Sequence, residues 1–213
     1  TNEKYYFNIN DKNDETDTTS KTQFSVAFAH IGGSGSDQFG DTTNDPKNII
    51  GETQAIYKQY ANILLEGHDQ EQGFKISAQG SAAKASTRDD YLYILNGKRS
   101  LFKERLNKKS LTINFSGSGT YGSQHTLKLT DDSSFVAGVA TPGGIRYNIV
   151  SGSLGTPSGS PAIAHEHRTF GWFYPERGTV IFSGAELSAS IPGGSNFGSE
   201  SLQSGGAKLS ASF

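Results

Sequence analysis

Apolar and polar positions alternate with a period of two over much of the chain, and this pattern predicts short β-strands. Residues 91–95, YLYIL, form a continuous apolar run instead, which is typical of a strand buried on both faces. Residues 74–77 predict a further short strand. The alternating segments are FSVAFA at 24–29, LTINF at 111–115, TLKLT at 126–130 and IRYNIV at 145–150, of which the second and third are expected to pair as a hairpin.

The densest aromatic segment, FGWFYPERGTVIF at residues 170–182, contains the single Trp of the chain. Pro175 presets φ near about −65° and Gly178 can take a positive φ, so residues 174–178 are expected to form a turn. Aromatic and β-branched residues on both sides predict the two arms of a hairpin. Because an isolated hairpin is marginally stable, we expect it to pack within a larger sheet.

In residues 51–66 the spacing of apolar residues changes to the period of a helix. Counted from Ile56, the apolar residues Tyr60, Ile63 and Leu64 follow after four, seven and eight positions. This spacing predicts one apolar stripe that packs on the sheet. Gly67 is expected to end this helix.

The expected fold class is mainly β with one or two helices (α+β), built of antiparallel hairpins or a sandwich with an amphipathic helix packed on the sheet. The 26 glycines and the hydrophobic content of 33% suit short strands and long loops. We divide the chain into an N-terminal arm or linker at 1–23, a main β-rich domain at 24–191 and a Gly/Ser-rich tail at 192–213.

Composition narrows the possible functions. A formal net charge of −2 argues against a general nucleic-acid-binding protein. The absence of cysteine removes disulfides and thiolate metal sites, and no apolar run approaches the roughly 20 residues of a membrane helix. No signal peptide is visible, and the chain lacks an initiator Met, which is consistent with trimming or with a longer polypeptide.

Candidate catalytic and metal-binding residues are few. The chain has no Gly-x-Ser-x-Gly elbow, no His-Glu-x-x-His motif and no Cys nucleophile, so we expect neither an enzyme nor a cofactor, although a dispersed carboxylate pair stays open. Asp131 and Asp132 suit a turn better than a calcium loop or an acid/base pair. His165 and His167 are weak metal candidates because two ligands are too few unless a symmetric oligomer supplies more. Exposed loop histidines are the favoured interpretation.

Residues 97–106, GKRSLFKERL, predict a short helical segment that buries Leu101, Phe102 and Leu106 on one side. Its cations Arg99, Lys103 and Arg105 are candidates for an interface. The alternatives are a solvated face and a nucleic-acid patch. The nucleic-acid patch is disfavoured because binding of a single strand calls for several interleaved aromatic residues, and this segment has only Phe102.

An ordered set of segments resembles virion structural proteins of contractile-tailed bacteriophages, including those of cyanobacteria. The segments are FSVAFAHIGGSGS at 24–36, AIYKQYANILL at 55–65, LYIL at 92–95, RSLFKERL at 99–106, LTDDS at 129–133, RYNIVSGS at 146–153 and GWFYPERG at 171–178. The resemblance implies no catalytic residues. It implies an assembly role as a baseplate wedge or tail protein that contacts other virion proteins, assembled in the host cytoplasm and located in the virion.

The resemblance leaves two alternatives open. A carbohydrate-binding tail fibre or spike module would need an exposed aromatic shelf, drawn from Tyr121, Trp172 or Tyr174, whereas an assembly protein would pack those rings internally. A capsid decoration or neck protein would differ in copy number. The hairpin adds Trp172, Tyr174 and Arg177 to the interface candidates, and neither nucleic acid nor membrane is expected as a partner.

Overall fold

The computed structural model describes residues 6–12, 17–36, 51–76, 87–118, 124–159 and 168–188. Within these ranges lie ten strands and three helices. The strands are β1 (Tyr6–Asn10), β2 (Thr22–His30), β3 (Tyr91–Gly97), β4 (Ile113–Ser118), β5 (Gln124–Asp131), β6 (Val139–Thr141), β7 (Gly144–Ser153), β8 (Thr156–Pro157), β9 (Gly171–Tyr174) and β10 (Thr179–Ser183). The helices are α1 (Glu52–Leu64), α2 (Gly67–Gln72) and α3 (Gly184–Ser188).

The strands form one antiparallel sheet that curls into a half-barrel, in the order β1-β2-β3-β10-β9-β7-β5-β4. The short strands β6 and β8 both pair with β7. The expected fold class, mainly antiparallel β with helices, is confirmed. β1 lies within the segment assigned to the N-terminal arm and belongs to this sheet, while the division into three regions stays a prediction.

The aromatic hairpin occupies the centre of the sheet, as β9 and β10. Thr179 pairs with Tyr174 across the hairpin, and Gly178 takes the positive φ of 67° that the turn was expected to need. β10 pairs on its other side with β3, and β9 pairs with β7. The hairpin therefore joins the β1–β3 part of the sheet to the β4–β8 part.

Both faces of this hairpin are covered, because its side chains alternate between two hydrophobic cores. Trp172, Tyr174 and Ile181 point to the core beneath α1, and the Trp172 ring lies 5.8 Å from that of Phe74. The neighbouring positions contribute to the core on the opposite face. Its buried members are Ile113, Phe115, Leu129, Ile149, Phe170, Phe173, Val180, Phe182 and Leu187.

The α1 helix forms as expected, and three of the four residues of the expected stripe contact the core: Leu64 is buried, and Ile56 and Tyr60 pack against the core while only partly buried. The fully buried residues are Thr53, Tyr57, Ala61 and Leu64, whereas Ile63 is 36% exposed. The helix is therefore rotated by about one position from the expected orientation, and only Ile63 was wrong as a buried residue. The physical reason is that the phenol of Tyr57 has polar partners inside, since its hydroxyl donates to Asp89 O at 2.7 Å and accepts from Phe74 N at 3.0 Å.

Three other local expectations were wrong. Gly67 does not end α1, which stops at Leu64, but begins α2. Residues 74–76 have no strand, although Phe74 and Ile76 are buried. The segment after β3 has only a 3₁₀ turn at Arg99–Leu101, and Leu101 is exposed.

The expectation that the strand at residues 91–95 is buried on both faces was also wrong, because β3 is fully buried on one face only, through Leu92 and Ile94, and half-buried on the other. Among the described residues, no helix is both long enough and apolar enough to cross a membrane.

Candidate interaction cleft

The turn of the central hairpin is held by the segment that follows β3. Gly97 N donates to Gly178 O at 2.8 Å, and Leu106 N donates to Pro175 O at 2.9 Å. Arg99 Nη1 donates to Glu176 O at 3.0 Å. These three bonds fix residues 97–106 around residues 175–178, so the predicted basic segment and the hairpin turn form one unit.

The aromatic ring of Phe102 completes this unit. A Cβ atom at Gly178 would lie 2.3 Å from Phe102 Cζ, so the ring fits only against glycine. The Arg99 guanidinium lies 4.7 Å from the centroid of the same ring, within the range of a cation–π contact. Arg99 is thus oriented by a ring on one side and by a carbonyl on the other.

An open cleft of about 290 Å³ lies between this unit and the C-terminal half of α1. The helix supplies one wall, the hairpin turn the other, and the ends of β3 and β10 the floor. The lining residues are Gln59, Tyr60, Ile63, Leu64, Asn96, Arg99, Glu176, Arg177 and Thr179.

A chain of hydrogen bonds crosses the floor of this cleft. Thr179 Oγ1 donates to Asn96 Oδ1 at 2.7 Å, and these two residues pair in register across β10 and β3. The Asn96 Nδ2 group in turn donates to the Tyr60 hydroxyl oxygen. Because this oxygen accepts from Asn96, the hydroxyl proton of Tyr60 is directed elsewhere, and it has no acceptor among the described residues.

The cleft brings together two of the predicted interface residues, Arg99 and Arg177. Arg99 Nη1 also donates to Glu104 O at 3.1 Å, and Arg177 Nε donates to Gly143 O at 2.6 Å. Within the described ranges, neither guanidinium forms an ion pair with a carboxylate. Carbonyl oxygens orient both groups without neutralising their charge, which makes the cleft a candidate site for an anion.

The other interface candidates lie outside the cleft. Lys103 and Arg105 are exposed and contact no charged partner in the described part of the chain. Trp172 and Tyr174 lie inside the protein, with 4% and 1% of their surface exposed, and burial raises the pKa of Tyr174 to about 12. Neither ring can form an aromatic shelf. Tyr121, His165 and His167 lie outside the described residues.

Strand β7 supplies a cation to the buried tryptophan. Arg146 Cζ lies 3.8 Å from the centroid of the Trp172 ring, and burial lowers the pKa of this guanidinium. The contact is internal, so it contributes to packing and not to the cleft.

The two adjacent carboxylates have a structural role in a turn, as expected. Asp132 accepts from Asn148 N and from Asn148 Nδ2, each at 3.0 Å, and Asp132 O accepts from Phe135 N at 2.8 Å. Asp131 Oδ2 accepts from Lys109 N at 2.9 Å. Burial raises the pKa of Asp132. No group of three or more metal-ligating side chains that could hold an ion occurs in the described ranges.

Three polar residues of the cleft were not identified from the sequence as site residues: Tyr60, which was assigned only to the apolar stripe of α1, and Asn96 and Thr179. A signal was present for Asn96, which follows Leu92 and Ile94 at period two and so continues the buried face of β3. A polar side chain on such a face needs a partner. That partner could not be found without the register of β3 and β10.

Comparison of the chain with protein families, with curated proteins and with solved structures finds no match.

Proposed function

We propose that this chain is a structural subunit of a phage virion that acts through protein–protein contacts, with the baseplate of a contractile tail as its place. The observation that supports an assembly role best is the sheet edge at β1. Within the described residues this strand pairs only with β2, and Phe7 on it is 68% exposed. Free strand edges pair readily with other chains, so soluble proteins usually protect them.

The exposed apolar surface extends from this edge onto the neighbouring strand. Phe7 pairs with Val26 and Ile9 pairs with Phe24, so all four side chains share one face of the sheet. The other three side chains, those of Ile9, Phe24 and Val26, are half-buried. A partner that adds a strand to β1, or packs on this face, would remove the apolar surface from water.

The phage assignment is supported by the resemblance of the ordered segments between residues 24 and 178. The carbohydrate-binding alternative has less support, because Trp172 and Tyr174 are buried and cannot stack on a sugar. A capsid decoration protein would also need an exposed contact surface such as the β1 edge, and it would differ from a baseplate protein in its copy number per virion.

The proposal is tested by locating the chain in intact virions with cryo-electron microscopy. We expect a low copy number around the base of the tail. A high copy number on the head would replace the baseplate assignment with a decoration protein, and absence from the particle would overturn the proposal.

A matched pair of variants tests the β1 edge. Phe7→Lys places a charge on the proposed contact, whereas Leu154→Lys changes a side chain with a similar exposure of 70% at the β7–β8 turn. We expect Phe7→Lys alone to reduce incorporation into particles, with the melting temperature of the isolated protein unchanged in both. Equal incorporation of the two variants would exclude β1 as a contact.

A further inference from the structure

We propose that the cleft between α1 and the hairpin turn binds the carboxylate of an acidic side chain, Glu or Asp, on a neighbouring protein. This inference rests on the proposed function for the identity of the neighbour and adds the chemistry of the contact. It does not involve the β1 edge.

Two guanidinium groups provide the charge for this contact. Arg99 uses Nη1 for the carbonyls of Glu104 and Glu176, which leaves Nε and Nη2 without a described acceptor. Arg177 Nε donates to Gly143 O, which leaves Nη1 and Nη2 of Arg177 without an acceptor among the described residues. A guanidinium donates in a fixed planar fork that matches the two oxygens of a carboxylate. Because both forks are already anchored, little side-chain freedom is lost on binding.

The Tyr60 hydroxyl provides a third donor. Thr179 is buried and its hydroxyl polarises the Asn96 amide, which donates to Tyr60. Successive hydrogen bonds of this kind strengthen the last donor in the chain. The phenolic proton is therefore available to an acceptor that enters the cleft.

The size and lining of the cleft favour a side chain over a larger anion. Its volume of about 290 Å³ is at the lower limit of small-molecule sites, and Ile63 and Leu64 offer apolar contact to the methylene groups of Glu. Glu176 also lines the cleft, and its like-charge repulsion disfavours a doubly charged phosphate more than a singly charged carboxylate. The net charge of −2 also disfavours a polyanion such as nucleic acid.

The test uses the isolated protein and the peptide acetyl-Gly-Glu-Glu-Gly-amide, with its Gln-Gln counterpart as a control. Binding is followed by NMR through the Nε–Hε resonances of the arginines. We expect saturable shifts of the Arg99 and Arg177 resonances with the Glu peptide, and binding at least about tenfold weaker with the Gln peptide.

Variants assign the binding to the cleft. We expect Arg177→Gln to weaken binding of the Glu peptide by about tenfold and Tyr60→Phe by a few-fold, while Arg105→Gln, which changes an exposed cation outside the cleft, leaves it unchanged. Tyr60→Phe keeps the ring and so keeps the helix packing. A backbone NMR spectrum that matches the wild type shows that each variant is folded.

Equal binding of the two peptides, or binding that survives Arg177→Gln together with Tyr60→Phe, would overturn the proposal. So would tighter binding of inorganic phosphate or of a single-stranded oligonucleotide, because the cleft would then be a general anion or nucleic-acid site. These measurements use no virion. Their failure would leave the particle assignment standing, and a failed particle assignment would leave the peptide result standing.

Discussion

Gly178 combines two constraints at one position of the hairpin turn. Its φ of 67° lies in the left-handed region, and a Cβ atom there would meet the Phe102 ring. A side chain would therefore strain the backbone and displace the ring that orients Arg99.

We expect Gly178→Ala to lower the free energy of unfolding by about 1–3 kcal/mol, because alanine is disfavoured in this conformation and the ring must move. The measurement is urea denaturation. Gly67→Ala is the matched control, since a Cβ at the first residue of α2 meets nothing within 4 Å. A Gly178→Ala protein as stable as the control would contradict the assigned turn.

The Tyr57 hydroxyl is the polar contact that sets the direction of α1. Tyr57→Phe removes one acceptor from Phe74 N and one donor from Asp89 O, both inside the protein. We expect a loss of about 1–3 kcal/mol in the free energy of unfolding, measured by urea denaturation. Tyr6→Phe, at an exposed position, should change the same quantity by less than about 0.5 kcal/mol.

At the scale of elements, adjacent residues of α1 distinguish the observed stripe from the expected one. Leu64 is fully buried whereas Ile63 is partly exposed at the cleft. We expect Leu64→Ala to cost about 2–5 kcal/mol and Ile63→Ala about 1 kcal/mol or less. Thermal unfolding of the two variants gives the comparison. Equal losses would mean that α1 packs in another rotation.

The contrast between α1 and the basic segment shows what periodicity can predict. Repeated apolar spacing indicated α1 correctly, but four apolar positions at several spacings are compatible with more than one rotation of the helix. The rotation was decided by a tyrosine whose partners, Phe74 and Asp89, are distant in sequence. In residues 97–106, hydrogen bonds to the hairpin turn replaced the helical bonds that the local pattern predicted.

The strands were easier to predict than the cleft. β4, β5, β7, β9 and β10 all lie where alternation or aromatic content indicated them. The cleft depends on three separate parts of the chain meeting at one place. Arg99 was singled out within the basic segment and Arg177 within the hairpin, but nothing in the sequence indicated that α1 and β3 would bring Tyr60 and Asn96 beside them.

At the scale of the whole molecule, buried phenols make stability depend on alkaline pH. Burial raises the pKa of Tyr57, Tyr93 and Tyr174 to about 12 each, above the value of about 10 in an unfolded chain. Between these two values the unfolded chain has lost protons that the folded protein retains. The stabilising contribution is therefore complete below about pH 10 and is lost as the pH rises toward about 12.

We expect the free energy of unfolding, measured in urea, to fall steadily above about pH 10, with the share of the phenolate absorbance that belongs to these three of the nine tyrosines appearing only as the protein unfolds. Tyr57→Phe should have a shallower slope because it removes one of the three phenols. Phenolate absorbance equivalent to all nine tyrosines in the folded protein near about pH 10 would contradict the shielding of these three rings.

The order of strands in the sheet has a consequence for the synthesis of the chain. Thr179 on β10 bonds to Asn96 on β3, 83 positions earlier, so a ribosome adds β10 on the order of ten seconds after β3. During that interval β3 presents an open edge to the cell, and both hydrophobic cores lack their central members. Contacts that span such distances along the chain also form slowly. The yield of folded protein should therefore rise when chaperones, or slower growth at lower temperature, protect the unpaired edge of β3 during synthesis.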